Sequence, residues 1–149
     1  MEHHDVVILG GGPAGLAAAL QLGQRGISVL LLEQGRIGRT GKTWITFLDT
    51  VNSFGLEGCV RARPAKTVFS SYLGNSYTMR TNCIVPLDEE RALLVLKEQV
   101  RASGVVIHEE EAFLSHREEG EGIVISTDRD EYSCRLAVNA MGRHAPLMD

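Results

Sequence analysis

Residues 5–33 constrain this chain more than any other stretch. Asp5-Val6-Val7-Ile8-Leu9 is a run of β-branched and apolar residues, too short for a helix and suited to a strand buried on both faces. It stops at Gly10-Gly11-Gly12, and a helical pattern opens at Pro13, where a missing N–H costs nothing. Leu16, Leu20 and Gly23 share one helical stripe, Ala17 to Ala19 keep the helix slim, and Gly26 supplies the stop. Ser28 to Leu32 then forms a second apolar strand that ends in Glu33. Strand, glycine turn, helix and strand in this order make one βαβ unit, with its two strands parallel and its crossover right-handed.

The glycines of that turn each have a task. Gly10, Gly12 and Gly15 form G-x-G-x-x-G after a strand and at the opening of a helix. Gly10 permits the tight turn, Gly12 lets backbone approach a diphosphate, and Gly15 lets helix and strand pack closely. The unpaired N–H groups of the first helical turn, at Ala14 and Gly15 after Pro13, sit at the positive end of the helix dipole and suit a bound diphosphate. Glu33 ends the second strand, where a carboxylate accepts hydrogen bonds from ribose hydroxyls. Its charge disfavours a 2′-phosphate, and with it NADP, as the ligand of this site. Gln34 follows it in the same turn.

Composition narrows the remaining classes. Hydrophobic residues make up 44% and charged residues 23% of 149 residues, which is ordinary globular usage and excludes a disordered or collagen-like chain. Fifteen bases against nineteen acids leave a net charge of −4, so no overall electrostatic footprint for nucleic acid is expected. No apolar run approaches the ~20 residues of a membrane span. Cys59, Cys83 and Cys134 are odd in number and contain no Cys-x-x-Cys, the usage of a reducing, cytoplasmic compartment without a disulfide framework.

Beyond Glu33 the pattern is less regular. Arg36, Arg39 and Lys42 lie in a glycine-broken loop. Arg39 either reaches the diphosphate from the far side or stands in solvent, and Arg36 and Lys42 read as solvated. Apolar residues at 44, 47, 48, 51 and 54 predict a helix from Trp44 to Phe54. Residues 67–71 and 76–79 predict a strand pair turned at Leu73-Gly74-Asn75. Tyr72 and Tyr77 there are half-buried strand residues or part of a substrate face. Asp88 is placed to cap a helix with Leu93, Leu96 and Val100 on its buried stripe, stopped by Gly104. Val105-Val106-Ile107 follows as a third parallel strand, expected beside the first. Its end, Glu109-Glu110-Glu111-Ala112, falls near an adenine, where the backbone at Ala112 does the binding and the acids form a solvated face. Three antiparallel strands are expected at Phe113–Arg117, Ile123–Thr127 and Tyr132–Leu136. A separate short strand, Leu136 to Ala140, leads to Gly142, where backbone can again approach a ligand. No nucleophile–base pair, paired-carboxylate site or metal cluster is legible. His108, His116 and His144 read as surface or structural residues, and Cys59 and Cys83 as small apolar ones.

The wording DVVILGGGPAGLAAALQLGQRGISVLLLE resembles the N-terminal signature of FAD-dependent oxidoreductases. The resemblance implies an α/β fold, a Rossmann-like FAD/NAD(P)-binding domain whose parallel sheet carries an antiparallel β flap. It implies FAD held by Gly10, Gly12, Pro13, Ala14, Gly15, Glu33, Gln34, Arg39, Ala112 and Gly142, with NAD(P)H or a separate donor as reductant. In the family the last strand reads V-x-D/x-A-T-G, and here Asn139 and Met141 stand where Asp and Thr are usual. The middle region is similar to lycopene cyclases, in Trp44 and in Asp49 followed by Phe54-Gly55-Leu56-Glu57-Gly58-Cys59. It departs from them at Thr50, where a second acid is common, and at Glu90, where an arginine is usual. Geranylgeranyl reductases and aromatic-ring hydroxylases fit the same scaffold.

These resemblances imply the FAD-binding portion, over residues 1–149, of an oxidoreductase acting on an apolar, isoprenoid or carotenoid substrate. The downstream Gly-Asp motif and the substrate domain of such enzymes are absent from the sequence. The expectation is therefore an N-terminal part that is not catalytically competent alone and takes its substrate through a further domain or a second chain. A cytoplasmic location with peripheral membrane contact accompanies it. The alternative is a non-catalytic nucleotide-binding or partner-dependent module. A third reading, an NAD-dependent dehydrogenase, is disfavoured by the Gly-Gly-Gly-Pro-Ala-Gly wording.

Overall fold

A computed structural model describes residues 1–39, 41, 44–80 and 83–142. Lys42, and the closing stretch from Arg143 that includes His144, lie outside the described residues. In chain order the elements are β1 (Glu2–Leu9), α1 (Pro13–Gly23), β2 (Val29–Glu33), β3 (Trp44–Phe47), α2 (Leu48–Ser53) and a 3-10 turn (Glu57–Cys59). They continue with β4 (Thr67–Ser70), β5 (Ser76–Met79), β6 (Ile84–Leu87), α3 (Glu89–Ala102), β7 (Val106–Glu109), β8 (Phe113–Glu119), β9 (Gly122–Thr127) and β10 (Glu131–Asn139). Two compact units result, one of Met1–Arg39 with Leu93–Asp149 and one of Thr40–Ala92.

The first unit is built on a six-stranded sheet in the order β7-β2-β1-β10-β9-β8. β7, β2, β1 and β10 run parallel, while β9 and β8 continue the sheet antiparallel. Val7, Ile8, Leu30 and Leu31 are fully buried, which is why β1 and β2 are uninterrupted apolar runs rather than alternating ones. Helix α1 buries Leu16, Ala19, Leu20 and Gly23. The last of these lies so close to its neighbours that a Cβ there would sit 2.6 Å from Cγ2 of Val105 and overlap the Ser103 hydroxyl. Val7, Leu9, Leu30 and Leu32 form one core cluster with Ile125, Tyr132 and Cys134, so the antiparallel strands and the parallel ones share a single interior.

Two expectations change here. The third parallel strand, β7, pairs with β2 and not with β1. The far side of β1 is occupied by β10 along its whole length, Glu2 beside Tyr132 through to Leu9 beside Asn139. The strands expected at Tyr132–Leu136 and Leu136–Ala140 are one, because nothing between Glu131 and Asn139 interrupts extended backbone; only Glu131–Cys134 also pairs with β9. The flap is thus a continuation of the main sheet through β10.

In the second unit, the helix expected from Trp44 to Phe54 begins only at Leu48. Trp44-Ile45-Thr46-Phe47 is aromatic and β-branched, favouring extended backbone, and pairs antiparallel with Ile84–Leu87. Val85 and Leu87 on that partner are buried, as are Val51, Leu56 and Cys59. β6 itself was not foreseen, since Pro86 argues against a strand except at an edge. The β4–β5 hairpin agrees with expectation, with Phe69 opposite Tyr77 and Gly74 at a φ of +85° in the turn. Its tyrosines are not half-buried: Tyr72 is 97% and Tyr77 65% exposed. The Asp88 side chain accepts the Arg91 N–H at 3.1 Å and caps α3 as expected.

Replacing Gly23 by valine should overpack the contact with Ser103 and Val105 and cost about 1–3 kcal/mol. A urea unfolding curve compared with the parent chain would measure it, and an unchanged midpoint would contradict this packing.

Candidate dinucleotide-binding site

The carboxyl ends of β1, β2 and β10 meet at the glycine turn. The Gly10 N–H donates to the Leu32 carbonyl at 2.8 Å, and the Ala140 N–H donates to the Leu9 carbonyl at 2.8 Å. Gly10 has a φ of +110°, and a Cβ there would lie 2.6 Å from the Ala140 carbonyl oxygen. Both facts require glycine. At Gly15 the first turn of α1 presses onto the Gly10 carbonyl, and a Cβ would overlap that oxygen. Gly12 differs. It is extended at φ −75°, and a Cβ on it would meet nothing within 4 Å. Open space therefore faces the backbone at the position assigned to diphosphate approach.

Pro13 and Ala14 are exposed beside it. The Leu16 N–H donates to the Gly12 carbonyl at 2.9 Å as the first bond of the helix ladder, and amides before it have no acceptor within an α-helix. The residues present fit the diphosphate of a dinucleotide: helix-start amides without an acceptor in the helix, beside open space at Gly12.

Glu33 is half-buried at the end of β2. One carboxylate oxygen accepts the Gly11 N–H at 2.7 Å and the other the Gly35 N–H at 2.8 Å. A carboxylate offers about four acceptor positions, so two remain for ribose hydroxyls. Gly11, to which the sequence reading assigned no task, is required here: a Cβ on it would fall 2.7 Å from Cγ1 of the buried Ile37 and 3.1 Å from Cβ of Glu33.

The acidic run after β7 is not a solvated face. The Glu111 N–H donates to the Glu33 carbonyl at 3.0 Å, and the Glu110 N–H to the Gly35 carbonyl at 2.9 Å. The Glu109 carboxylate accepts the Ile37 N–H at 2.8 Å and pairs with Lys97. Partial burial alone would raise the Glu109 carboxyl, yet Lys97, the Ile37 N–H and Arg101 together hold it below the usual range. Only Glu110 faces solvent; it sits at a φ of 58° and pairs with Arg36 at 2.8 Å. Glu111 is 3% exposed and accepts hydrogen bonds from the Thr127 and Tyr132 hydroxyls at 2.6 and 2.8 Å. Its other oxygen lies 3.1 Å from Nδ1 of His108. Burial, then the Glu111 carboxylate, push the Tyr132 phenol upward. Residue order alone gave no sign of these roles, because every partner except His108 is distant in sequence.

The other predicted residues are placed as follows. Gln34 and Arg39 are exposed, and the Arg39 N–H donates to the Arg36 carbonyl at 3.2 Å. Ala112 donates its N–H to the Asp128 carboxylate at 2.8 Å and accepts the Asp128 N–H at 3.0 Å. Its methyl and one carbonyl lone pair are what it offers a ligand. Gly142 has a φ of +78° and open space beside it. Asn139, the departure from the usual Asp, accepts the Met141 N–H at 3.2 Å and shapes the preceding turn. His108 is structural, in the Glu111 network. Cys59 and Cys134 are buried thiols and Cys83 a partly buried one, with no disulfide among them.

This arrangement defines a dinucleotide-binding α/β protein of the flavoprotein class. Residues 7–148 match the family described as pyridine nucleotide-disulphide oxidoreductase, and the chain belongs to that FAD-dependent oxidoreductase family. It is 43% identical over 53 residues to a vinyl phenol reductase of Lactiplantibacillus plantarum, covering 36% of this chain and 11% of that protein. It is 24% identical over 144 residues to the chloroplastic neoxanthin synthase of Solanum lycopersicum, covering 93% of this chain and 28% of that one. A geranylgeranyl bacteriochlorophyll reductase-like structure from Thermoplasma acidophilum superposes with a TM-score of 0.77 at 18% identity, over 95% of this chain and 40% of that chain. The chain thus spans less than half the length of these three proteins. No described helix is long and apolar enough to cross a membrane.

A carboxyl held below its ordinary range stabilises the fold above its unfolded value of 4.5, and that contribution is lost as pH falls through the depressed value. The Glu109→Gln variant should therefore lose less stability than the parent on acidification below about pH 4.5. Thermal unfolding across that window reads the difference, and parallel profiles would contradict a role for the Glu109 charge.

Proposed function

We propose that the Met1–Arg39, Leu93–Asp149 unit binds the adenosine-diphosphate half of FAD, as the cofactor-binding portion of a flavin-dependent oxidoreductase. The observation that carries this is the open face at Gly12, beside unpaired helix-start amides and one strand end away from Glu33. The amides and dipole of α1 hold the diphosphate, Glu33 orients the ribose, and Gly142 lets backbone near the cofactor. FAD, when bound, supplies two-electron redox chemistry. The protein supplies position and charge. Arg39 reaches the diphosphate from the exposed loop, and Ala112 and Gln34 line the adenine side.

The substrate we propose is apolar and of isoprenoid type, with NAD(P)H as reductant. Likeness to proteins named neoxanthin synthase and geranylgeranyl reductase supports the substrate class. A second reading, a partner-dependent module without catalysis of its own, is favoured by Ile45 and Phe47, which stand 68% and 60% exposed in the other unit.

Titration of the chain with FAD, followed by flavin absorbance and thermal shift, tests the proposal. FAD should raise the melting temperature, ADP should compete, and a 2′-phosphorylated ADP should compete far less well. A Cβ at Gly12 meets no protein atom within 4 Å, so Gly12→Val should unfold like the parent while binding FAD at least about tenfold more weakly. Glu33→Gln should weaken binding by about tenfold or more, the scale of a charged hydrogen bond. Unchanged affinity in a folded Gly12→Val chain would overturn the assignment. Stabilisation by FAD without turnover of any apolar substrate, even with NAD(P)H, would favour the second reading.

A further inference from the structure

The Thr40–Ala92 unit carries a surface that cofactor binding does not use. In the β4–β5 hairpin, Phe69 stands opposite Tyr77 and Thr67 opposite Met79. Side chains alternate across a sheet, so these four share one face, and Val68, Ser70, Ser76 and Thr78 share the other. Phe69 is 51% and Tyr77 65% exposed, and the turn beyond them lifts Tyr72 and Leu73 to 97% and 71% exposure. One face and the tip are thus apolar and aromatic, while the opposite face is mostly hydroxyl-bearing.

Charge is segregated around the same hairpin. Between Glu57 and Asp88 the sequence contains Arg61, Arg63, Lys66 and Arg80 and no Asp or Glu, in a chain whose net charge is −4. All four cations are exposed, on the segments that lead into and out of the two strands. Arg61 lies 3.7 Å from Asp88. An apolar tip with tyrosines near a collar of cations matches a phospholipid interface. Aromatic rings with polar ends settle at headgroup level there, and basic residues meet anionic lipid. The rings of Phe69, Tyr72 and Tyr77 are also able to stack on bases, but Leu73 at the tip, 71% exposed, offers hydrocarbon alone, which a bilayer buries.

We infer that the β4–β5 hairpin docks on an anionic membrane surface, inserting Tyr72 and Leu73 and holding lipid headgroups with Arg63, Lys66 and Arg80. The inference stands apart from the cofactor assignment, because every residue it uses lies in the other unit. An enzyme with an apolar, membrane-dissolved substrate gains by resting on that surface.

Flotation of the chain with vesicles tests it, using phosphatidylcholine containing phosphatidylglycerol against phosphatidylcholine alone. Binding should require phosphatidylglycerol and weaken with added salt. Tyr72→Ser with Leu73→Ser should lower it at least about tenfold. Arg63→Gln with Lys66→Gln should lower it by roughly fivefold for each cation removed. All four positions are exposed, so circular dichroism and FAD affinity should match the parent. Equal binding to both vesicle types, or indifference to the tip variant, would overturn the inference. So would sedimentation showing a dimer that the tip variant dissolves, since a second copy would then cover this face.

Discussion

The Glu33 carboxylate ties together everything the candidate site needs. By accepting the Gly11 and Gly35 amides, it joins the glycine turn that ends β1 to the loop that follows β2. Those segments otherwise carry backbone donors at the carboxyl end of the sheet, where an unpaired buried amide costs free energy comparable to a lost hydrogen bond. Meeting that demand with one side chain leaves the turn shaped without a second polar residue in the space before Gly12. The carboxylate is therefore a structural group first, and under the proposed assignment the same fixed group receives the ribose. Preorganisation of this kind lowers the ordering cost of binding.

A second layer supports the first. The acids that close β7 spend two backbone amides and two carboxylates, those of Glu109 and Glu110, on the loop from Glu33 to Ile37. They spend another carboxylate, that of Glu111, on holding β9 and β10 through Thr127 and Tyr132. Three consecutive acids thus face three environments: a cation pair, solvent and a buried hydroxyl cluster. The left-handed backbone at Glu110 makes this division, since it turns the chain between two positions that must both point inward. A non-glycine residue in that conformation is uncommon, and the two amide bonds flanking it account for its persistence.

The second unit follows different rules. Its two small sheets each have only two strands, and isolated two-stranded sheets are marginal without cover. The β3–β6 pair meets this by burying Val85 and Leu87, whereas the β4–β5 hairpin leaves its aromatic face in solvent. That contrast is what singles out the hairpin for the docking we infer.

Which parts were legible follows from the range of the interactions. The βαβ unit, the need for glycine at Gly10 and Gly15, the α3 cap and the β4–β5 turn depend on residues close in sequence, where period, capping and positive φ leave a local signature. The same holds for the position of Glu33 at its strand end. Residue order could not say that β10 takes the free side of β1, that Trp44–Phe47 finds Ile84–Leu87, or that Gly11 must clear Ile37. Nor could it say that the acids after β7 face inward, because Lys97, Thr127 and Tyr132 reach them only once the sheet has closed. Local chemistry determined the glycine turn and the acidic strand end on which the proposed dinucleotide site rests. Tertiary packing decided what holds that place in shape and which apolar face stays uncovered, since both depend on pairings between distant parts of the chain.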